Sequence, residues 1–325
     1  MNRKRLITFL AAAWCSVGLI SGIVMADTKD VTDGTTGTVP QEVPNTTKVQ
    51  DPDEPSGTDP QGQKAVWLNY NKAVVICTKK LPLLRAYTVP EGTPVKWTSS
   101  DTSVAKVTSN GIVSGLKAGY AVITVTTPDG LSDSCTVTVL YKDVTQKDNF
   151  WYEPTYELTS KGIVKGYEEQ TEFRPANNCT RAQMVTFIWR LAGCPTPKSK
   201  ESKFSDVVSG KYYYKSVIWA CEKGITTGYK DGTFKPNVTC LRRHAVTFLW
   251  RYAGSPAPSG SEVKFKDVKD DAYYTKPVIW ASENKILEGY EDGTFKPEAE
   301  CLRRQMVTFL YKYDKFINSG SDGDS

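Results

Sequence analysis

Three arginines recur at a fixed interval, Arg181, Arg242 and Arg303, spaced 61 and 61 residues apart. Each stands near the start of a segment with helical spacing of apolar residues: Thr180–Arg190, Leu241–Arg251 and Leu302–Lys312. In the first of these, Met184, Val185, Ile188 and Leu191 mark the face that must be buried. A cation in the first turn of a helix opposes the helix dipole, so its repetition asks for an anion nearby. That anion is either an aspartate of the chain itself or a ligand. Other reactive types offer little. His244 is the one histidine of the chain, stands where the sister segments carry Gln183 and Gln305, and has no carboxylate or nucleophile motif beside it, which argues against acid–base catalysis. The eight cysteines show no CxxC spacing, and with a single histidine this argues against a metal centre or a Cys–His nucleophile. Most are read as small buried hydrophobes.

The elements that must position the arginines repeat with them. Each unit opens on an aromatic-x-Asp-Val turn: Tyr141–Val144, Phe204–Val207 and Phe265–Val268. An aromatic cluster follows, Phe150–Tyr152, Tyr212–Tyr214 and Tyr273–Tyr274, leading into a first helix. That helix ends at Lys161-Gly-Ile163, Lys223-Gly-Ile225 and Asn284-Lys-Ile286, with glycine a good C-cap in two of the three. A loop comes next, Gly228–Pro236 and Gly289–Pro297, each reading Gly-Tyr-x-Asp-Gly-Thr-Phe-Lys-Pro. The first copy, Gly166–Pro175, is one residue longer and lacks Asp-Gly, so its loop is expected to differ in shape. Thr180 and Gln183 can form a capping box for the second helix. Leu241 and Leu302 hold the cap position in the other copies, so another group must serve there. Units this small bury too little apolar surface alone and should share one core.

Upstream the pattern changes. Arg3, Lys4 and Arg5 precede an apolar run from Leu6 to Met25 ending Val24-Met25-Ala26, the form of a cleaved secretory leader over 1–26. Its removal takes three positive charges and no acids from a formal net charge of +5, and Cys15 with them. The near-neutral remainder lacks the basic field that nucleic acid requires. Residues 27–64 are rich in Thr, Pro, Asp, Gly and Gln, too polar to order themselves, and read as a disordered linker. From Ala65 to Leu140 short runs alternate with period two, such as Val95–Thr98, Ala121–Val125 and Thr136–Leu140, between turn residues.

Two families are resembled. The run Trp97–Val107, with Gly111–Gly115, Ala118–Val125 and Cys135–Val139, resembles the group 2 bacterial Ig-like domain, in which Trp97 is the expected core aromatic. That resemblance makes the first and last strands neighbours, so Cys77 and Cys135 could pair. The aromatic-x-Asp-Val start, the Gly-Tyr-x-Asp-Gly-Thr-Phe-x-Pro loop and Thr180-Arg-Ala-Gln183 resemble the S-layer homology (SLH) module. The expected architecture is a small all-β Ig-like sandwich (65–140) followed by an all-α pseudo-threefold helical domain. Its three repeats span 141–197, 203–258 and 264–315, before a disordered tail at 316–325.

The SLH resemblance implies a non-catalytic protein of the bacterial surface, without a cofactor, in the cell wall or S-layer. It would be anchored non-covalently to secondary wall polysaccharide through an anionic, pyruvylated sugar. A sugar carboxylate suits a guanidinium at a helix N-terminus, where two parallel hydrogen bonds and free N–H groups meet. Arg181, Arg242 and Arg303 are the expected contacts, against the alternative of an ion pair with a neighbouring Asp-Val turn. Trp151, Tyr213 and Tyr274 stand where the family carries tryptophan and are candidate groove walls, as are Tyr229 and Tyr290. Asp231 and Asp292 could accept sugar hydroxyls or serve only their turns. Arg243 and Arg304 replace the family's alanine, which makes these sites less acidic. The runner-up function is an adhesin: the Ig-like domain binds a host or neighbouring-cell ligand while the SLH repeats tether it.

Overall fold

The computed structural model describes residues 47–48 and 64–319. The expected leader, most of the linker and the last residues of the tail lie outside the described residues.

The N-terminal unit is built from short strands: β1 (Thr47–Lys48), β2 (Ala65–Leu68), β3 (Tyr70–Ile76), β4 (Ala86–Val89) and β5 (Lys96–Ser99). They are followed by β6 (Ala105–Val107), β7 (Val113–Gly115), β8 (Gly119–Thr126) and β9 (Ser132–Leu140). One sheet runs β1-β3-β9-β8-β5, with β2-β4 and β6-β7 as two-stranded ribbons. The alternation read in the sequence is the burial pattern of β8 and β9: Ala121, Ile123, Val125, Cys135, Val137 and Val139 point into the core. Trp97 packs against that core from β5; a Cβ at Gly111 would meet Leu84 O at 2.2 Å and the Trp97 ring at 3.1 Å. The Cys77–Cys135 pairing does not occur, and both thiols are free. Strands β3 and β9 are indeed neighbours, but parallel in the register Lys72↔Thr136 to Ile76↔Leu140. Cys77 therefore lies past one end of the pair and Cys135 past the other, about 20 Å apart along the strands, far beyond disulfide reach.

The C-terminal unit has six helices: α1 (Tyr152–Ser160), α2 (Arg181–Leu191), α3 (Tyr214–Glu222), α4 (Arg242–Tyr252), α5 (Thr275–Glu283) and α6 (Arg303–Ser319). Each second helix packs on the first helix of the following repeat, α2 on α3 and α4 on α5, and α6 returns to α1 to close the ring. Lys161 of α1 pairs with Glu157 and with Asp314 of α6, and Lys315 reaches Glu157 (3.1 Å). Helix α6 runs on into the stretch expected as tail, placing Tyr313 against Tyr252 and Trp280, and Phe316 against Trp280.

The expectation of an all-α domain is not met; its content is mixed. On the pseudo-threefold axis the chain is extended, and the three turns donate to one another in a cycle. Cys179 N–H bonds Cys301 O (2.9 Å), Cys240 bonds Cys179 (2.8 Å) and Cys301 bonds Cys240 (2.8 Å). Bridges Asn178↔Leu302, Thr180↔Thr239 and Leu241↔Glu300 flank them. Three helix N-termini converging on one buried axis must leave their preceding residues non-helical, and those N–H groups need partners away from water. A β-type triangle satisfies them. A further bridge, Tyr167↔Glu172, and a 3-10 turn at Glu168–Gln170 shape the longer loop of the first repeat. Gln170 O there accepts from Ala118 N–H of the Ig-like unit (2.9 Å).

Candidate functional site

Each inter-repeat groove is assembled from the same parts. The aspartate of the aromatic-x-Asp-Val turn accepts two backbone N–H bonds from the loop: Asp143 from Phe173 and Arg174, Asp206 from Phe234 and Lys235, Asp267 from Phe295 and Lys296. The turn's aromatic ring packs under the loop glycine. A Cβ at Gly228 would meet Phe204 at 2.2 Å, and one at Gly289 would meet Phe265 at 2.2 Å. This explains why the two motifs occur together in every copy.

The arginines hold the loop from the other side, across the repeat boundary. Arg181 Nε donates to Phe234 O (2.9 Å), Arg242 to Phe295 O (2.8 Å) and Arg303, closing the cycle, to Phe173 O (2.8 Å). All three are buried, at 4%, 0% and 2% exposure. Aspartate and arginine thus act on the same loop peptide without forming the ion pair considered from sequence. Carbonyl dipoles and ring faces stabilise the cations instead: Arg181 lies over Tyr229 and Phe234, Arg242 over Tyr290 and Phe295, Arg303 over Tyr167 and Phe173. The helix N-termini are also engaged. Arg181 and Ala182 N–H donate to Val238 and Pro236 O, Arg242 and Arg243 to Ala299 and Pro297, Arg303 and Arg304 to Asn177 and Pro175. An anion at these grooves must therefore be held by side chains.

The capping question resolves in part. Thr180 and Gln183 form the full box. In the other copies the reciprocal half remains, since Leu302 N–H donates to Gln305 Oε1 (3.2 Å) and Leu241 N–H reaches His244 Nδ1 (3.4 Å).

The groove on α4 is a cavity of about 340 Å³ whose walls include Arg181, Tyr229, Arg243, His244, Arg251 and Tyr273, with no carboxylate among its lining residues. Arg181 spends its Nε on Phe234 O, and among the described residues no protein hydrogen bond reaches its Nη atoms. Arg243 pairs with Glu298 at the rim. The corresponding region on α6, about 430 Å³, is different: Glu288 bonds Lys312 (2.7 Å) and Tyr311 Oη donates to Glu153 (2.8 Å). A larger cleft, about 550 Å³ beside Trp250, Val263 and Ile279, has no cluster of guanidinium donors. The α4 groove therefore holds the more distinctive chemistry.

The aromatic candidates separate. Tyr213 and Tyr274 turn inward at 5% and 9% exposure, because they occupy the N-cap positions of α3 and α5 against the core. The residues just before them, Tyr212 and Tyr273, are exposed at 59% and 56%. Tyr273 walls the α4 groove, and the Tyr-Tyr pair in the sequence was its only signal. Trp151 is half-buried with Arg304 over its ring at 5.5 Å. Tyr229 and Tyr290 lie under the arginines. Asp231 and Asp292 are turn residues, accepting from Thr233 and Thr294 and paired with Lys235 (3.1 Å) and Lys296 (3.6 Å). Arg251, beside His244 in the α4 groove, was not singled out from sequence.

Burial first, then the Arg181 and Arg243 charges, lowers the His244 pKa from 6.5 to about 4. The folded state thus holds His244 neutral while the unfolded chain protonates it, so stability falls as pH drops from 6.5 towards 4. His244→Gln, the residue of the sister repeats, is expected to flatten that slope in urea titrations across this range. An unchanged slope would contradict the assignment.

Comparison with known proteins places these features in families. The S-layer homology domain model matches residues 140–185, 203–246 and 264–307, and the bacterial Ig-like domain (group 2) model matches 66–139. The chain carries three S-layer homology domains behind a bacterial Ig-like domain. The SLH repeats so defined bracket the loops and arginines described above. Among similar proteins are Cell surface glycoprotein 1 of Acetivibrio thermocellus, 27% identical over 46% of this chain and 7% of its own length, and the Cellulosome-anchoring protein of the same organism, 26% identical over 46% of this chain and 34% of its own. S-layer protein EA1 of Bacillus anthracis is 26% identical over 37% of this chain and 14% of its own length. The chain thus spans about a third or less of each of these relatives.

Proposed function

We propose that this protein is displayed on a bacterial cell surface and held non-covalently to the wall by its SLH triplet. The ligand is a secondary wall polysaccharide with a carboxylate-bearing sugar, of the pyruvate-ketal type. The observation that carries this reading is the α4 groove: three guanidinium groups, of which Arg243 is paired with Glu298 at the rim, two tyrosines and a neutral histidine converge there with no carboxylate among the lining residues, and the Arg181 Nη atoms have no protein hydrogen bond among the described residues. A planar cation suits a carboxylate, and the exposed Tyr273 offers a ring face to a pyranose. The names of similar proteins, a cell surface glycoprotein, a cellulosome-anchoring protein and an S-layer protein, agree with a surface anchor. In this reading the protein acts by binding, and its one histidine serves a helix cap.

Sedimentation of the full chain with isolated wall sacculi tests the reading. Sacculi carrying their secondary polymer are expected to pull the protein down, and sacculi stripped of it to leave the protein in solution. Equal sedimentation with both would remove the basis for anchoring.

A second reading has one observation in its favour. Trp67 and Tyr87 stack across β2 and β4, with ring centroids 5.6 Å apart. They line a cleft of about 500 Å³, an adhesive platform on the Ig-like domain. In that case binding to a partner surface depends on residues 65–140.

A further inference from the structure

One position differs in charge among the three grooves. The residue before the loop's Gly-Tyr is Lys165 in the first repeat, Thr227 in the second and Glu288 in the third. In the first and third repeats its carbonyl accepts from the arginine of the neighbouring repeat, Arg303 Nη2 donating to Lys165 O (3.1 Å) and Arg242 Nη2 reaching Glu288 O (3.4 Å). In the second and third repeats its side chain lies near a basic residue of the following helix, Arg251 or Lys312. In the third repeat Glu288 bonds Lys312 at 2.7 Å, with Lys312 28% exposed. In the second repeat Thr227 is neutral, and the residue equivalent to Lys312 is Arg251, whose Nη1 finds only Ile225 O at 3.4 Å. Both Thr227 and Arg251 line the α4 cavity.

We propose that this position is the charge selector of the SLH grooves: Thr227 leaves the α4 groove open to an anionic sugar, whereas Glu288 neutralises Lys312 and bars an anionic sugar from the α6 groove. The proposal rests on the wall-sugar reading above and adds which groove takes the carboxylate and why. A carboxylate entering the α6 groove meets Glu288 at close range and must displace it from Lys312. Like charges brought together in a partly desolvated groove repel strongly. In the α4 groove the same ligand meets Arg181 Nη donors without a protein hydrogen bond and an Arg251 without a counter-ion among the described residues.

Calorimetric titration of the full chain with methyl 4,6-O-(1-carboxyethylidene)-hexopyranosides of the gluco, galacto and manno series tests this. Glu288→Thr is expected to add one site to the wild-type stoichiometry. Thr227→Glu is expected to remove one, or to weaken it by about ten-fold or more. Thr227→Gln, of similar size without the charge, is expected to keep the site. Thr227 is exposed, so these variants should melt with the wild type, and their melting is measured alongside. Binding by the wild type with the same stoichiometry and affinity in all three variants overturns the selector and leaves wall-sugar binding standing. Loss of the site in Thr227→Gln as well as Thr227→Glu also overturns it. No binding of any ketal by the wild type overturns the wall-sugar reading and the selector with it.

Discussion

Arg242→Ala is expected to lower the stability of the helical domain by about 3–5 kcal/mol. Arg242 is the largest fully buried side chain among the described residues. Truncation opens a void among Tyr290, Phe295 and Phe309, and leaves the Phe295 carbonyl without its donor. Arg242→Met separates the terms: it refills most of the volume and removes a desolvated charge, so it should cost only about 1–2 kcal/mol. Urea unfolding of the full chain, followed by tryptophan fluorescence, reads both. Wild-type stability in Arg242→Ala would show that the arginine does not join repeats two and three.

A chain ending at Tyr311 is expected to lose at least about 4 kcal/mol and to release α1, because the ring is closed from its far end. The deleted residues include Tyr313, 3% exposed against Tyr252 and Trp280, and Asp314, 4% exposed and paired with Lys161 of α1. Breaking a half-buried pair from one side strands the other charge. Amides of α1 should then exchange with solvent far faster, whereas a chain ending at Ser319 should match the wild type. Unchanged protection of α1 after truncation at Tyr311 would contradict ring closure by α6.

The repeat was legible because its parts have local signatures: Gly-Tyr-x-Asp-Gly, the aromatic-x-Asp-Val start and the helical spacing after each arginine. The β alternation of 65–140 was legible for the same reason. The axis was not, since one extended residue per repeat carries no periodicity. Its trace, Cys179, Cys240 and Cys301 at the repeat interval, reads as ordinary hydrophobic burial until the three backbones meet. The arginines were placed at the repeat boundary by their spacing, but a carbonyl partner leaves no mark in a sequence, as a carboxylate does. For this reason the N–H groups expected to greet a ligand turned out to be bonded to the next loop. Which aromatic of each cluster faces out was not legible either, because the N-cap side chains Tyr213 and Tyr274 face the core and the residues before them face out. The inequality of the copies was visible as Asp-Gly against Glu-Gln and threonine against leucine. Its chemical weight lies instead at Lys165, Thr227 and Glu288, where only the closed ring shows which helix each side chain meets.

The groove itself is tested most directly by a crystal structure of the full chain with a saturating 4,6-pyruvate-ketal hexoside. The expected result is the ketal carboxylate in the α4 groove, bonded to Arg181 Nη and beside Arg251, with a sugar face on Tyr273. An empty α4 groove, with the ligand ordered elsewhere on the protein, would contradict the account.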